Sequence, residues 1–182
     1  MKILVFGASG AGTTTLGRAL AERLGSQHLD ADDYYWEVSD PPFQHKVPLE
    51  RRNTLLRRDF LATDRVVVSG SLVSWGEEWR AAFDWAVFLW IPAEVRMERL
   101  RRRERERYGS RLEEEVAVAA QSAAFLAWAS RYDDPAFEGR SIRLHREWMN
   151  LLNCPILCIE GDYRTDQQVE RVCKKIAQDK LA

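Results

Sequence analysis

Residues 2–18, KILVFGASGAGTTTLGR, constrain this chain more than any other stretch. Ile3, Leu4, Val5 and Phe6 form a short apolar run that ends at Gly7, which predicts a strand buried on both faces. Gly10 and Gly12 follow, and from Thr13 onward Leu16, Ala19, Leu20 and Leu24 recur on one face of a predicted helix. A strand that turns through glycines directly into a helix leaves the amides of the first helical turn without carbonyl partners. Those amides and the positive end of the helix dipole enclose a small concavity suited to an anion.

Gly7, Gly12 and Thr14 fit the spacing G-x-x-x-x-G-K-[ST], in which amides cradle phosphates, a lysine reaches the terminal ones and the last hydroxyl ligates Mg²⁺. Thr13 stands at the lysine position. The expected phosphate cradle is Gly7, Ser9, Gly10, Ala11, Gly12, Thr13, Thr14 and Thr15, with Thr14 on the metal. Only five of the 27 basic residues are lysines, and none lies in this loop. Positive charge for phosphates must therefore come mainly from arginine, which binds them as a planar fork. The competing reading is a strand–turn–helix junction that uses its glycines for geometry alone.

At 182 residues, the chain is expected to be one domain with a real core. Its net charge of −1 provides no global field to draw in nucleic acid or an anionic membrane. Cys154, Cys158 and Cys173 show no metal or redox spacing; Cys154 and Cys158 read as small buried apolar groups beside a strand. A reducing, cytoplasmic setting is expected, with no leader and no apolar run of membrane-spanning length.

Along the chain, Gly25 ends the first helix and residues 27–32 read as a second strand running into a loop crowded with aspartates. A helix is predicted over Leu49–Leu61. Strands are predicted at Val66–Val68 and Trp85–Ile91, the first closing on Ser69-Gly70-Ser71. Helices follow over about 93–108, 113–130 and 140–152, then a strand at Pro155–Ile159 and a closing helix at Thr165–Leu181, with Thr165 and Gln168 as its capping box. Apolar strands alternating with helices imply a parallel sheet covered on both faces. Ligands bind such sheets at the carboxyl ends of the strands, and there the glycine loop, Asp30 and Asp32, and Ser69 to Ser71 all fall.

With GASGAGTTT at 7–15, LDADDYYW at 29–36, VVVSGS at 66–71 and FLWIPAEVRMERLRRRE at 88–104, the chain resembles the P-loop kinases of small molecules and nucleoside monophosphates, in particular the adenylate kinase and shikimate/gluconate kinase branch. The resemblance spans nearly the whole chain. It implies an α/β three-layer sandwich with a five-stranded parallel sheet of order 2-3-1-4-5 and helices on both faces. A substrate-binding segment would occupy about 30–65 and a helical lid about 100–145. Thr13 departs from the family pattern and argues against a standard adenylate kinase.

The resemblance also implies roles for single residues. Asp32 would orient the acceptor hydroxyl and lie near Mg²⁺, with Asp30 beside the substrate; either aspartate could instead cap a helix or close an Asx-turn, as Asp33 could. Arg96, Arg99, Arg103 and Arg107 share a helix face. Arg99 and Arg103 would close over the ATP phosphates, unless Glu98, Glu104 and Glu106 make the stripe a solvated, self-compensated face. Arg101, Arg102 and Arg105 fall off that face, toward solvent. Arg131, Asp133, Asp134 and Arg140 or Arg143 match the returning side of the lid. Arg51 or Arg52 could hold an acidic substrate group. Tyr34, Tyr35, Trp36, Trp75 and Trp79 fall where the acceptor is enclosed, and Gly70 and Ser71 at the third strand's end complete that pocket. His28, His45 and His145 show no partner that suggests catalysis.

The expected function is transfer of the γ-phosphate of ATP, with Mg²⁺, to a small-molecule hydroxyl or a nucleoside monophosphate. The partners are then the nucleotide and the acceptor, not nucleic acid or membrane. The alternatives are a nucleotide-binding regulatory protein without transfer activity and an NTPase stimulated by a protein partner.

Overall fold

The computed structural model describes residues 1–179. Five parallel strands form one sheet in the order β2-β3-β1-β4-β5: β1 (Lys2–Gly7), β2 (Gln27–Asp30), β3 (Val66–Ser69), β4 (Trp85–Trp90) and β5 (Ile156–Glu160). β1 is central, with Ile3 opposite Val67 on one side and Trp85 on the other. This is the expected sheet and order.

Alternation along β1 explains why its whole run is apolar. Ile3 and Val5 point to one face, where they meet Leu16 and Leu20 of α1 (Thr13–Leu24) and Val169, Val172 and Ile176 of α8 (Thr165–Asp179). Leu4 and Phe6 point to the other, against Leu56 and Phe60 of α3 (Leu49–Leu61) and Trp148 of α7 (Ile142–Met149). A strand covered on both faces has no solvent side to carry polar residues. A third small cluster, Met97, Leu100 and Ala129 with Phe125, Leu126 and Trp128, packs α4 (Ala93–Tyr108) against α6 (Val116–Ser130).

Several boundaries differ from expectation for local reasons. Beyond β2 the chain does not loop but turns into a short helix, α2 (Ala31–Tyr35), capped by Asp30, whose Oδ1 accepts from the Asp32 amide at 3.1 Å. The helix expected over 113–130 is two, α5 (Arg111–Glu114) and α6, because Glu115 is extended. α7 begins two residues later than expected, since Ser141 is its N-cap and accepts from the Leu144 amide. At α8 the capping contact lies one residue earlier than Thr165 and Gln168: the Arg164 amide donates to Gln167 Oε1 at 3.2 Å, while Gln168 is buried. Leu181, the expected last residue of that helix, lies outside the described residues.

Trp79, expected near the acceptor, is a core residue wedged between Phe60 and Phe83, its Nε1 donating to Asn53 Oδ1 at 2.9 Å. Cys158 is exposed rather than buried, and the three cysteines are free thiols. Among the described residues no helix is long and apolar enough to cross a membrane.

Gly17 shows how closely α1 lies on the sheet. A Cβ there would stand 2.8 Å from Ser69 Cβ and 2.9 Å from His28 Nε2. Helix propensity favours alanine by about 1 kcal/mol, but forcing a methyl into a packed interface costs about 1–3 kcal/mol. Gly17→Ala is expected to destabilise the protein by about 1–2 kcal/mol in urea unfolding; a gain in stability would show that α1 can lift off the sheet freely.

Candidate active site

β1 stops at Gly7, where a side chain would overlap the Leu89 carbonyl of β4. The loop then turns through Gly10 and Gly12 at φ 80° and 93°, both in the left-handed region, with an Ala11 N–H to Ala8 carbonyl bond of 3.1 Å holding the bend. Gly12 is the N-cap of α1 and brings no side-chain acceptor, so the first helical bond is the Leu16 amide to the Gly12 carbonyl. The amides ahead of Leu16 in that turn have no such partner and are the groups that an anion would satisfy.

Two guanidiniums reach this loop and a third lies nearby in the field of Asp32. Arg99 from α4 reaches the Gly12 side, its Nη1 3.9 Å from where a Gly12 Cβ would stand, while its Nη2 pairs with Asp162 just beyond β5. Arg140, in the segment ahead of α7, donates from Nη2 to Ser9 Oγ at 3.1 Å and lies 5.0 Å from the Trp128 ring. Arg103, one turn beyond Arg99, lies within the field of Asp32 and Asp30. Burial lowers its pKa, as does neighbouring Arg107, yet a guanidinium stays charged throughout the range in which proteins fold.

Asp32, near the start of α2, faces the same space. Its surface is open to the cleft, but protein surrounds the carboxyl, and this loss of solvent raises its pKa above the usual carboxylate range. Arg140 and Arg103 pull the other way; Asp30 and Asp33 add to the rise. The arrangement is a proton-accepting group held beside cations and a row of amides. Thr14 hydroxyl and Asp32 carboxylate oxygens are the donor types that Mg²⁺ takes, together with phosphate and water.

The other expected site residues separate into two groups. Gly70, at φ 106°, closes the end of β3 so tightly that a Cβ would stand 2.8 Å from Ala31 Cβ, which brings β3's corner against the start of α2. Asp30 is spent on the α2 cap. Ser71 Oγ turns inward to His145 Nε2 at 2.8 Å. The Tyr34 hydroxyl donates to Asp59 at 2.9 Å, and Tyr34 and exposed Arg51 line a depression of about 410 Å³ shared by α2 and α3, to which no loop residue contributes. The structure does not bring these last two to the glycine loop.

The arginine stripe of α4 divides in the same way. Arg96 is fully buried, its Nη2 2.5 Å from Asp133 Oδ2 and its guanidinium 4.9 Å from the Tyr132 ring. Arg107 pairs with buried Glu104 at 2.9 Å and covers Phe43 at 4.5 Å. Arg101, Arg102 and Arg105 are exposed, as expected.

Sequence reasoning left two groups unresolved or unseen. Arg52, not Arg51, is the buried arginine of α3; it lies 4.4 Å from the Tyr35 ring and 4.8 Å from Trp75, with its Nε unpartnered. The signal was its four-residue spacing from Leu56 and Phe60, the buried face of α3. His145 was set aside for want of a partner, yet it is fully buried between Ser71 and Tyr132, whose hydroxyl lies 2.7 Å from Nδ1. Burial lowers its pKa from 6.5 to about 3, so the ring is neutral in the folded state.

The AAA_18 family, described as an AAA domain, matches residues 3–119. An uncharacterized protein, YqaC, of Bacillus subtilis is 44% identical over 170 residues, 93% of this chain and 94% of its own length. Among solved structures, the shikimate kinase of Acinetobacter baumannii in complex with shikimate matches 100% of this chain and 95% of that chain at 19% identity, with a TM-score of 0.57. The deoxyadenosine kinase of M. mycoides with bound dATP matches 97% of this chain and 100% of that chain at 14% identity, also with a TM-score of 0.57. These likenesses fix the fold as that of the P-loop kinases.

Two outcomes are expected. A carboxyl whose pKa rises on folding stabilises the fold while protonated, and that contribution is lost as pH climbs through the raised value. Asp32→Asn should therefore raise the melting temperature of the ligand-free protein at neutral pH; a lower one would show that the ionised carboxylate holds the fold together. The unfolded His145 takes up a proton that the folded ring refuses, so stability falls as pH drops from 6.5 toward about 3. The NMR shifts of the ring should remain those of neutral imidazole down to the acid transition.

Proposed function

The chain belongs to the AAA_18 family of AAA domains, and from that premise we propose that it is an ATP-dependent phosphotransferase acting on a hydroxyl of a small molecule. The observation that carries this reading is the uncapped helix start at Gly12 with Arg140 bonded to Ser9 of its loop, and Asp32 at the start of α2, which packs against the neighbouring strand end at Gly70. An ATP-only binding site needs the amides and the cations. Transfer to a hydroxyl needs in addition a group that orients the acceptor and takes its proton, the role assigned to Asp32.

In this reading the loop amides of residues 7–15 hold the phosphates, with Arg99 and Arg103 closing from the lid side. Thr14 and Asp32 would hold Mg²⁺, which supplies charge neutralisation at the β- and γ-phosphoryl oxygens when bound. Asp32 accepts the proton as the acceptor oxygen bonds to the γ-phosphorus; the bond from that phosphorus to the β-bridging oxygen breaks, giving ADP and a phosphate ester. Positioning and electrostatics supply most of the rate in such transfers. Asp32→Asn is expected to lower turnover by about 100-fold or more.

Buried Arg52, backed by Tyr35 and Trp75, supports an acceptor that also carries an acidic group, whether a hydroxylated acid or a nucleoside monophosphate. Free cysteines support action in the cytoplasm. Thr13 favours one second reading, a nucleotide-binding regulatory protein without transfer.

Coupled detection of ADP release with MgATP against sugar acids, hydroxylated carboxylic acids and nucleoside monophosphates decides between them. Release that depends on one acceptor class is the expected result. ATP binding with no acceptor-dependent release supports the regulatory reading, and failure to bind ATP at all overturns both.

A further inference from the structure

The loop lacks a cation of its own at Thr13, and the lid's helix carries the arginines expected to compensate. The geometry points elsewhere: we infer that Arg140, ahead of α7, supplies the positive charge that the loop's own lysine position lacks. The inference rests on the reading of residues 7–15 as an ATP site.

Arg140 meets the requirements for this role. Its Nη2 bonds directly to Ser9 Oγ within the loop, so the guanidinium is fixed at the cradle rather than carried past it. The Trp128 ring at 5.0 Å backs it from the lid. Among the described residues no carboxylate lies within ion-pair distance of Arg140, yet its field depresses the proton affinity of Asp32. Its charge is therefore unspent and directed into the cleft. Arg99, the rival for the role, is neutralised by Asp162 at the opposite edge of the loop. Arg96 is locked to Asp133, and Arg143 pairs with Glu147 at 2.8 Å on the outer side of α7.

Local structure explains how Arg140 comes to be there. Ser141 caps α7, so residue 140 lies outside the helix and its side chain need not follow helical phase. Ser9 is partly exposed and offers an acceptor to the guanidinium. An arginine on a separate segment, unlike a loop lysine, brings its charge only when that segment is docked. Phosphate binding is then coupled to the seating of residues 134–141 on the loop.

The test is compensation in trans. Calorimetric titration of MgATP is run on the wild type and on Arg140→Gln, which keeps an amide donor for Ser9 and removes the charge. The same titration is run on Thr13→Lys, on the T13K/R140Q double variant, and on the Arg99→Gln pair with and without T13K. Losing one charge-assisted phosphate contact should weaken ATP binding by about ten- to a hundredfold in R140Q. T13K should restore the R140Q protein to within a few-fold of wild type while leaving R99Q uncorrected.

Wild-type affinity in R140Q, or a double variant as weak as R140Q alone, overturns the inference while leaving the phosphotransferase reading intact. Rescue of R99Q instead assigns the role to Arg99. Absence of ATP binding in the wild type removes both. If R140Q unfolds early by circular dichroism, Arg140→Met, which keeps the stem against Trp128, takes its place with the same expected outcomes.

Discussion

In the bend that follows Gly7 the Ala11 amide bonds the Ala8 carbonyl, but the Thr13, Thr14 and Thr15 amides find no backbone carbonyl, and the rest of the molecule is arranged round that shortage. β1 is hemmed in by β3 and β4 and covered on both faces, so its backbone is paired on both sides, with the Lys2 amide on Asp84 Oδ2. When the chain leaves the sheet at Gly7 it enters a bend that pairs its Ala11 N–H with the Ala8 carbonyl and leaves the first amides of α1 without one. Such a bend persists only if something negative, or water, satisfies it. The order of the strands then places the ends of β3 and β2 alongside, which is why Gly70 and α2, with Asp32, reach the same space.

Arginine solves the charge problem in several ways at once in this fold. The four stripe residues of α4 share a helix face and still meet four different fates: Arg96 in the interior with Asp133, Arg99 against Asp162, Arg103 over Phe125, Arg107 on Glu104 and Phe43. Periodicity specifies a direction from the axis, but what stands in that direction changes with every turn. A guanidinium can stack on a ring with its flat faces while its edges donate, so Arg96 and Arg140 each lie against an aromatic ring while Nη2 donates to Asp133 and to Ser9. An ammonium, which is more strongly hydrated, suits those aromatic seats less well.

The sheet, its order and the glycine loop were legible because they depend on short-range pattern: continuous apolar runs, glycines at turns, helices between. The positions of the glycine loop and of Asp32 were legible, because both follow directly from strand ends. It was less legible wherever a residue's role depends on a partner far along the chain. Arg140 meets Ser9 across more than a hundred residues, and nothing in its local sequence separates it from Arg143, two residues into α7 and directed to solvent. His145 read as an ordinary helical residue until Ser71 and Tyr132 were found on its two nitrogens. The aspartates were ambiguous for the opposite reason: a cap and a ligand use the same oxygens, and only the α2 geometry separates Asp30 from Asp32.

Residues 107–121 reach across to the loop that follows α2. Arg111 grips Asp40 at 2.6 Å, and Gln121 donates to the carbonyls of Pro42 and Phe43 at 3.0 and 3.3 Å. The Arg111–Asp40 pair is solvent-facing, and exposed ion pairs of this type contribute about 0–1 kcal/mol, whereas the Gln121 bonds are half-buried. Added salt therefore loosens the ionic strand first. Ionic strength tunes how firmly these two segments are joined, while the strands and the amide bend do not depend on it.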